Sequence, residues 1–100
     1  MQNFRTYDLA KKFYQNCKSL KFNKHFKDQF DRALLSVVLN IAEGSGKRTQ
    51  KDRQRFYSIA MGSLREVQAI LELNELKAYY HQSDRLGACL YKLIQNPGGR

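Results

Sequence analysis

The chain has a single proline, Pro97, three residues before the last. Proline and glycine are the strongest local breakers of regular structure, so most of the sequence is free to run as long, uninterrupted elements. Apolar residues do not alternate in the strand manner. They recur at three and four residues, the helical period. Leu9, Ala10, Phe13, Tyr14, Cys17 and Leu20 form one such stripe and predict a helix over about 7–20, with Thr6 as its N-cap. A short connection at 21–24 follows.

Phe26, Phe30, Ala33, Leu34, Val37, Val38 and Ile41 predict a second helix over about 24–42, with Gly44 stopping it as a left-handed C-cap. Ser45 to Thr49 form a loop, and Thr49 with Asp52 resembles a capping box that opens a third helix. That helix is expected to be the longest, about 50–80. Phe56, Ala60, Ser63, Val67 and Ile70 repeat near the heptad, and mid-helix Gly62 is expected to permit close approach of a neighbouring helix. Ser83 is expected to cap a fourth helix bearing Leu86, Cys89, Leu90, Leu93 and Ile94, with residues 96–100 a frayed tail.

Four amphipathic helices with short loops in 100 residues predict an all-α, antiparallel up-down four-helix bundle forming one domain over 1–100. A coiled-coil dimer through the third helix is a weaker alternative, because its heptad is neither strict nor long. There is no signal-peptide pattern and no apolar run long enough to cross a membrane, so the expected compartment is the cytoplasm. Cys17 and Cys89 are too few for a disulfide framework and read as small core residues.

Charge is the one strong compositional signal. The net charge is +9, and residues 1–55 hold 13 Lys/Arg against 5 Asp/Glu, whereas residues 56–100 are nearly balanced. Such asymmetry favours a polyanionic partner, nucleic acid before a membrane surface. Candidate phosphate contacts are Lys47 and Arg48 in the loop, Lys51 and Arg55 four apart on the third helix, Lys11 and Lys18 seven apart on the first, and Lys24 and Lys27 opening the second. Together they are expected to make a basic stripe. Tyr57, Tyr79, Tyr80 and Tyr91 are candidates for partial exposure at a stacking or subunit surface.

Several catalytic readings fail on the residues present. Gly46-Lys47 suggests a phosphate-binding loop, but Ile41 stands where its first glycine is needed, and Arg48 replaces the Ser or Thr after the lysine. His25 and His81 have no ligand-type neighbours at metal spacing, and no Glu-x-x-His element exists. The chain is therefore expected to be no enzyme and to use no cofactor. Asn40 and Glu43 end an apolar helix, and their expected roles are structural. Asn40 would bond across the bundle to Ser63, and Glu43 would hold the loop backbone or a cation such as Arg55.

The ordered run Asn40-Ile41-Ala42-Glu43-Gly44, Gly46-Lys47-Arg48-Thr49, Arg55-Phe56, Ile59-Ala60 and Gly62-Ser63-Leu64-Arg65-Glu66 resembles the four-helix-bundle family of 23S rRNA intervening-sequence proteins, also called S23 ribosomal-protein-like. The match is densest over 40–73. The chain departs in lacking a first-helix tryptophan, and in reading Val37-Val38-Leu39 where members often carry a proline. The resemblance implies an up-down bundle assembled as a homopentamer, without catalytic activity. It is also similar to accessory variability determinants of diversity-generating retroelements, which bind nucleic acid and a reverse transcriptase. By that likeness Asn40, Glu43, Gly44, Gly62 and Ser63 are structural positions, and Lys47, Arg48 and Arg55 are basic ones. Two functions are expected from these observations: nucleic-acid binding through clustered cations, or a homo-oligomeric scaffold for a reverse transcriptase or other protein.

Overall fold

The computed structural model describes residues 4–98, and they are all-α. Helix α1 spans Arg5–Cys17, α2 Lys24–Ser45 and α3 Gln50–Leu73; a single 3-10 turn at Lys77–Tyr79 leads into α4, Tyr80–Gln95. No strand occurs among the described residues.

Helix α1 buries Thr6, Ala10, Phe13 and Cys17, the face its sequence period defines. It starts earlier than Thr6, so that residue lies inside the first turn and is packed away; Phe4 holds the N-cap position without a side-chain bond. Helix α2 opens on Asn23, whose Oδ1 accepts the His25 amide at 2.9 Å. It runs through Gly44 to Ser45, and no glycine among the described residues has a positive φ. Gly44 is thus not a left-handed stop. A Cβ there would lie 2.8 Å from Cε1 of Tyr57, so its lack of a side chain admits the α3 ring.

Helix α3 opens as its sequence predicts, with Thr49 Oγ1 accepting the Asp52 amide at 3.1 Å. Its end differs. The Leu76 amide bonds to Leu71 O at 2.9 Å and the Glu75 amide to Glu72 O at 3.1 Å, the paired bonds of a Schellman stop. The left-handed residue this stop needs is Glu75, at φ 55. Helix α4 therefore begins at Tyr80, and Ser83 is buried within it rather than capping it. Its Oγ has no hydrogen-bond partner. Helix α4 stops at Gln95, where the expected tail begins; within that tail Pro97 is buried and Gly98 lies against the Gln50 side chain, while residues 99–100 fall outside the described range.

Each helix packs against the next in sequence, and α1 packs against α4. The shared core includes Phe13, Cys17, Phe30, Leu34, Ile41, Tyr57, Leu64, Leu71, Leu86 and Leu90. Tyr57 belongs to this core, against the expectation of exposure; Phe4 tilts against its ring with centroids 6.3 Å apart. Burial pushes its hydroxyl pKa up, and the neighbouring Arg53 charge partly offsets that. Tyr79 and Tyr80 are half-buried, whereas Tyr91 is exposed. Gly62 is exposed with nothing within 4 Å of a Cβ, so no neighbouring helix approaches it within the chain. The described residues contain no helix long and apolar enough to cross a membrane.

Candidate nucleic-acid interface

The loop between α2 and α3 is built by local bonds. The Ser45 hydroxyl donates to Ala42 O at 2.8 Å, and the Gly46 amide bonds back to Glu43 O at 3.2 Å. Arg53, one turn into α3, donates from Nε to Lys47 O at 2.8 Å. The turn carrying Lys47 and Arg48 is thereby tied to the helix that follows it.

Lys47 and Arg55 converge on one aromatic ring. Lys47 Nζ lies 5.0 Å and the Arg55 guanidinium carbon 4.8 Å from the Phe56 centroid. Both are cation–π contacts, which hold long flexible side chains in place without neutralising them. Phe56 had read only as an apolar core position; its half-exposed place at the helix edge makes it the platform of this cluster. Lys47 also pairs with Glu43 Oε2 at 3.1 Å, so Glu43 holds Lys47 rather than Arg55. Among the described residues Arg48, Lys51 and Arg55 form no ion pair, and all three are exposed. They surround the start of a 24-residue helix, whose dipole favours an anion; Asp52 already supplies one carboxylate in that first turn, and its amide is taken by Thr49 Oγ1.

The other basic residues do not join this cluster. Helix α2 has 22 residues, so Lys24 at its start is ~33 Å from the loop that follows its end. Lys27 is engaged structurally. Its Nζ donates to Lys18 O at 2.9 Å, pairs with Asp31 at 3.1 Å and lies 5.8 Å from the Phe22 ring, which packs edge-on against Phe30. Lys18 contributes that carbonyl as the C-cap of α1, and Lys24 is exposed as the first residue of α2. Lys11 lies midway along α1, over the Tyr7 ring at 5.9 Å. The expected stripe is instead a concentrated cationic end around Lys47, Arg48, Lys51 and Arg55, with Lys18, Lys24 and Lys27 at the opposite end.

Asn40 reaches Ser63 through an intermediary. Its Nδ2 donates to Ser36 O at 2.9 Å and Ser36 Oγ at 3.0 Å, and Ser36 Oγ bonds to Ser63 Oγ at 2.7 Å. Ser36 was not singled out in the sequence, although it stands one helical turn before Asn40. The network fixes the register of α2 on α3 and so fixes the cationic loop that joins them. Burial pushes the Cys17 thiol up to about 12, which leaves it a packed, unreactive group. No group of three His, Cys, Asp or Glu able to hold a metal occurs among the described residues.

The fold and this end together define a small all-α protein with a cationic helix–loop–helix, tied down by backbone bonds and an aromatic platform. The chain belongs to the 23S rRNA-intervening sequence protein family, whose model matches residues 4–95. Comparison with curated proteins and with solved structures gives no match.

Proposed function

We propose that this chain is a non-catalytic, self-associating cytoplasmic protein that binds nucleic acid through phosphate contacts at the Lys47–Arg48–Lys51–Arg55 end. The observation that carries the reading is the convergence of four cations on one helix start, with a single carboxylate in an ion pair among them. Exposed cations on a positioned backbone suit phosphate binding with little sequence readout. The family's name ties it to 23S rRNA intervening sequences, which makes RNA the first polyanion to test.

The scaffold is an antiparallel up-down bundle in this reading. Lys27 to Lys18, Ser36 to Ser63, Gln54 to Ile94 and Asn16 to Gln82 each join neighbouring helices, and antiparallel neighbours account for all four. Such a layout puts the α1 and α3 N-termini at one end, adding Arg5 to the cationic surface.

Fluorescence anisotropy with a short RNA, titrated over a range of salt, tests the site. The expected result is affinity that falls steeply with salt, and a Lys47/Arg48/Lys51/Arg55→Gln variant that loses most of it. Unchanged affinity in that variant rejects the site. A second reading, a scaffold that docks another protein such as a reverse transcriptase, is favoured by the apolar outer face of α2 and α3, where Leu39 is 56 % exposed.

A further inference from the structure

A groove of about 480 Å³ opens between the first turn of α1 and the end of α4. Thr6 and Leu93, both buried, form its floor, and Cys89 lines it half-buried. Its rim is polar: Arg5, Lys92, Gln95 and Asn96 are exposed along it, together with Tyr91, which is 57 % exposed. No carboxylate lines the groove, and among the described residues neither Arg5 nor Lys92 forms an ion pair. Three contacts bring the groove to the start of α3. Phe4, next to Arg5, tilts against Tyr57 with ring centroids 6.3 Å apart; Gln54 Nε2 donates to Ile94 O at 2.8 Å; and Gly98 lies against Gln50. The groove therefore shares one end of the molecule with Lys51 and Arg55.

The lining selects the occupant. Two cations with no carboxylate between them call for an anion. An exposed tyrosine offers a flat ring that gains by being covered. The side-chain amides of Gln95 and Asn96 each carry donors and an acceptor, which suits the mixed edge of a base. A lipid chain would need an apolar wall, and the apolar floor here is confined to Leu93 and Cys89. An anion carried on a flat, hydrogen-bonding ring is a nucleotide, and the volume falls in the range of small-ligand clefts.

We propose that the α1–α4 groove receives one nucleotide of a single-stranded RNA whose neighbouring phosphates lie on the Lys47–Arg48–Lys51–Arg55 end. Arg5 and Lys92 take the phosphate of that nucleotide, Tyr91 stacks on its base, and Gln95 and Asn96 meet the base edge. The inference rests on the proposed RNA binding and deepens it. It makes the protein a binder of unpaired strand, because a base held in a duplex stack cannot reach the Tyr91 ring.

Cys89 makes occupancy of the groove measurable. It lines the groove, whereas Cys17 is buried with its thiol pushed up to about 12 and stays silent. The test is the rate at which N-ethylmaleimide modifies Cys89 in the full chain, followed by mass spectrometry. It is run on free protein, with a short single-stranded RNA, and with adenosine monophosphate, while anisotropy reports RNA binding on the same samples. The expected result is a several-fold slowing by the RNA and little by the monophosphate at equal concentration. Tyr91→Ala, at an exposed position, is expected to keep its helicity, to weaken RNA binding by roughly fivefold to a hundredfold with an unchanged salt slope, and to lessen the protection of Cys89 at saturating RNA. RNA bound while Cys89 reacts at its free rate overturns the inference and leaves the cationic site standing, as does wild-type affinity in Tyr91→Ala. Protection by the monophosphate without RNA binding overturns the strand as the source of the nucleotide, and with it the RNA-binding reading. Neither protection nor RNA binding rejects both proposals.

Discussion

Gly44 packs against the ring of Tyr57: a Cβ at Gly44 would stand 2.8 Å from Cε1 and 3.0 Å from Cδ1. The ring is 2 % exposed and packs against Phe4, so it has nowhere to retreat. Gly44→Ala is expected to destabilise the protein by about 1–3 kcal/mol through overpacking, although alanine is the better helix former. Gly46, two residues on, meets only ordinary contact at 3.6 Å and has φ −89, so Gly46→Ala is expected to shift stability by less than about 0.5 kcal/mol. Urea unfolding of the two variants measures the contrast. Equal effects would mean that Gly44 is only a helix-end residue.

Glu75 is exposed and holds φ 55, a conformation that costs an L-residue roughly 1–2 kcal/mol. Its amide makes one of the two bonds that stop α3, so the conformation is imposed by the turn. Glu75→Gly keeps that amide and removes the strain. The expected outcome is a gain of about 1 kcal/mol, offset in part by the glycine's larger unfolded-state entropy. A higher urea midpoint with an unchanged slope is the measurement.

This stop explains where the sequence was legible and where it was not. The helical faces followed from spacing alone: Phe13, Phe30, Leu34, Ile41, Val67 and Leu90 are all buried where periodicity put them. The end of α3 did not follow, because its left-handed position carries glutamate rather than the glycine that usually marks such a turn. The extension to residue 80 and the cap at Ser83 both came from that missing mark. Gly44 and Gly62 were misread for a related reason: a glycine's local role depends on what packs there, which sequence spacing does not contain. Of the candidate site, the loop and the start of α3 were legible as a cationic turn. The engagement of Lys27 by Lys18 O and Asp31, and the use of Phe56 as a platform, needed the tertiary arrangement.

Cys17 gives a pH-dependent prediction. Its thiol ionises near the ordinary 9.0 when unfolded but only at about 12 in the folded chain, because burial disfavours the thiolate. Above pH 9 the unfolded state therefore releases a proton that the native state keeps. Stability falls as pH rises, by about 1.4 kcal/mol per pH unit between these two values, and this contribution is fully present below the lower one. Cys17→Ala loses packing, yet its stability is expected to decline less steeply than wild type from pH 9 to 11. Parallel curves would show that the thiol does not carry the effect.

Lys27 and Lys51 carry the same charge and separate its two uses. Lys27 bridges Lys18 O, Asp31 and the Phe22 ring, so it joins the end of α1 to α2. Lys51 is exposed, without an ion pair, on the first turn of α3 beside Arg55. Lys27→Gln is expected to cost about 1 kcal/mol of stability, the scale of one charge-assisted bond in a partly exposed setting, and to leave RNA affinity nearly unchanged. Lys51→Gln is expected to leave the unfolding midpoint alone and to reduce the slope of log affinity against log salt by about one ion. Thermal unfolding and salt-dependent anisotropy on both variants give four readouts. A uniform loss of affinity in both would mean that binding follows net charge; loss confined to Lys51→Gln would place the phosphate at the start of α3.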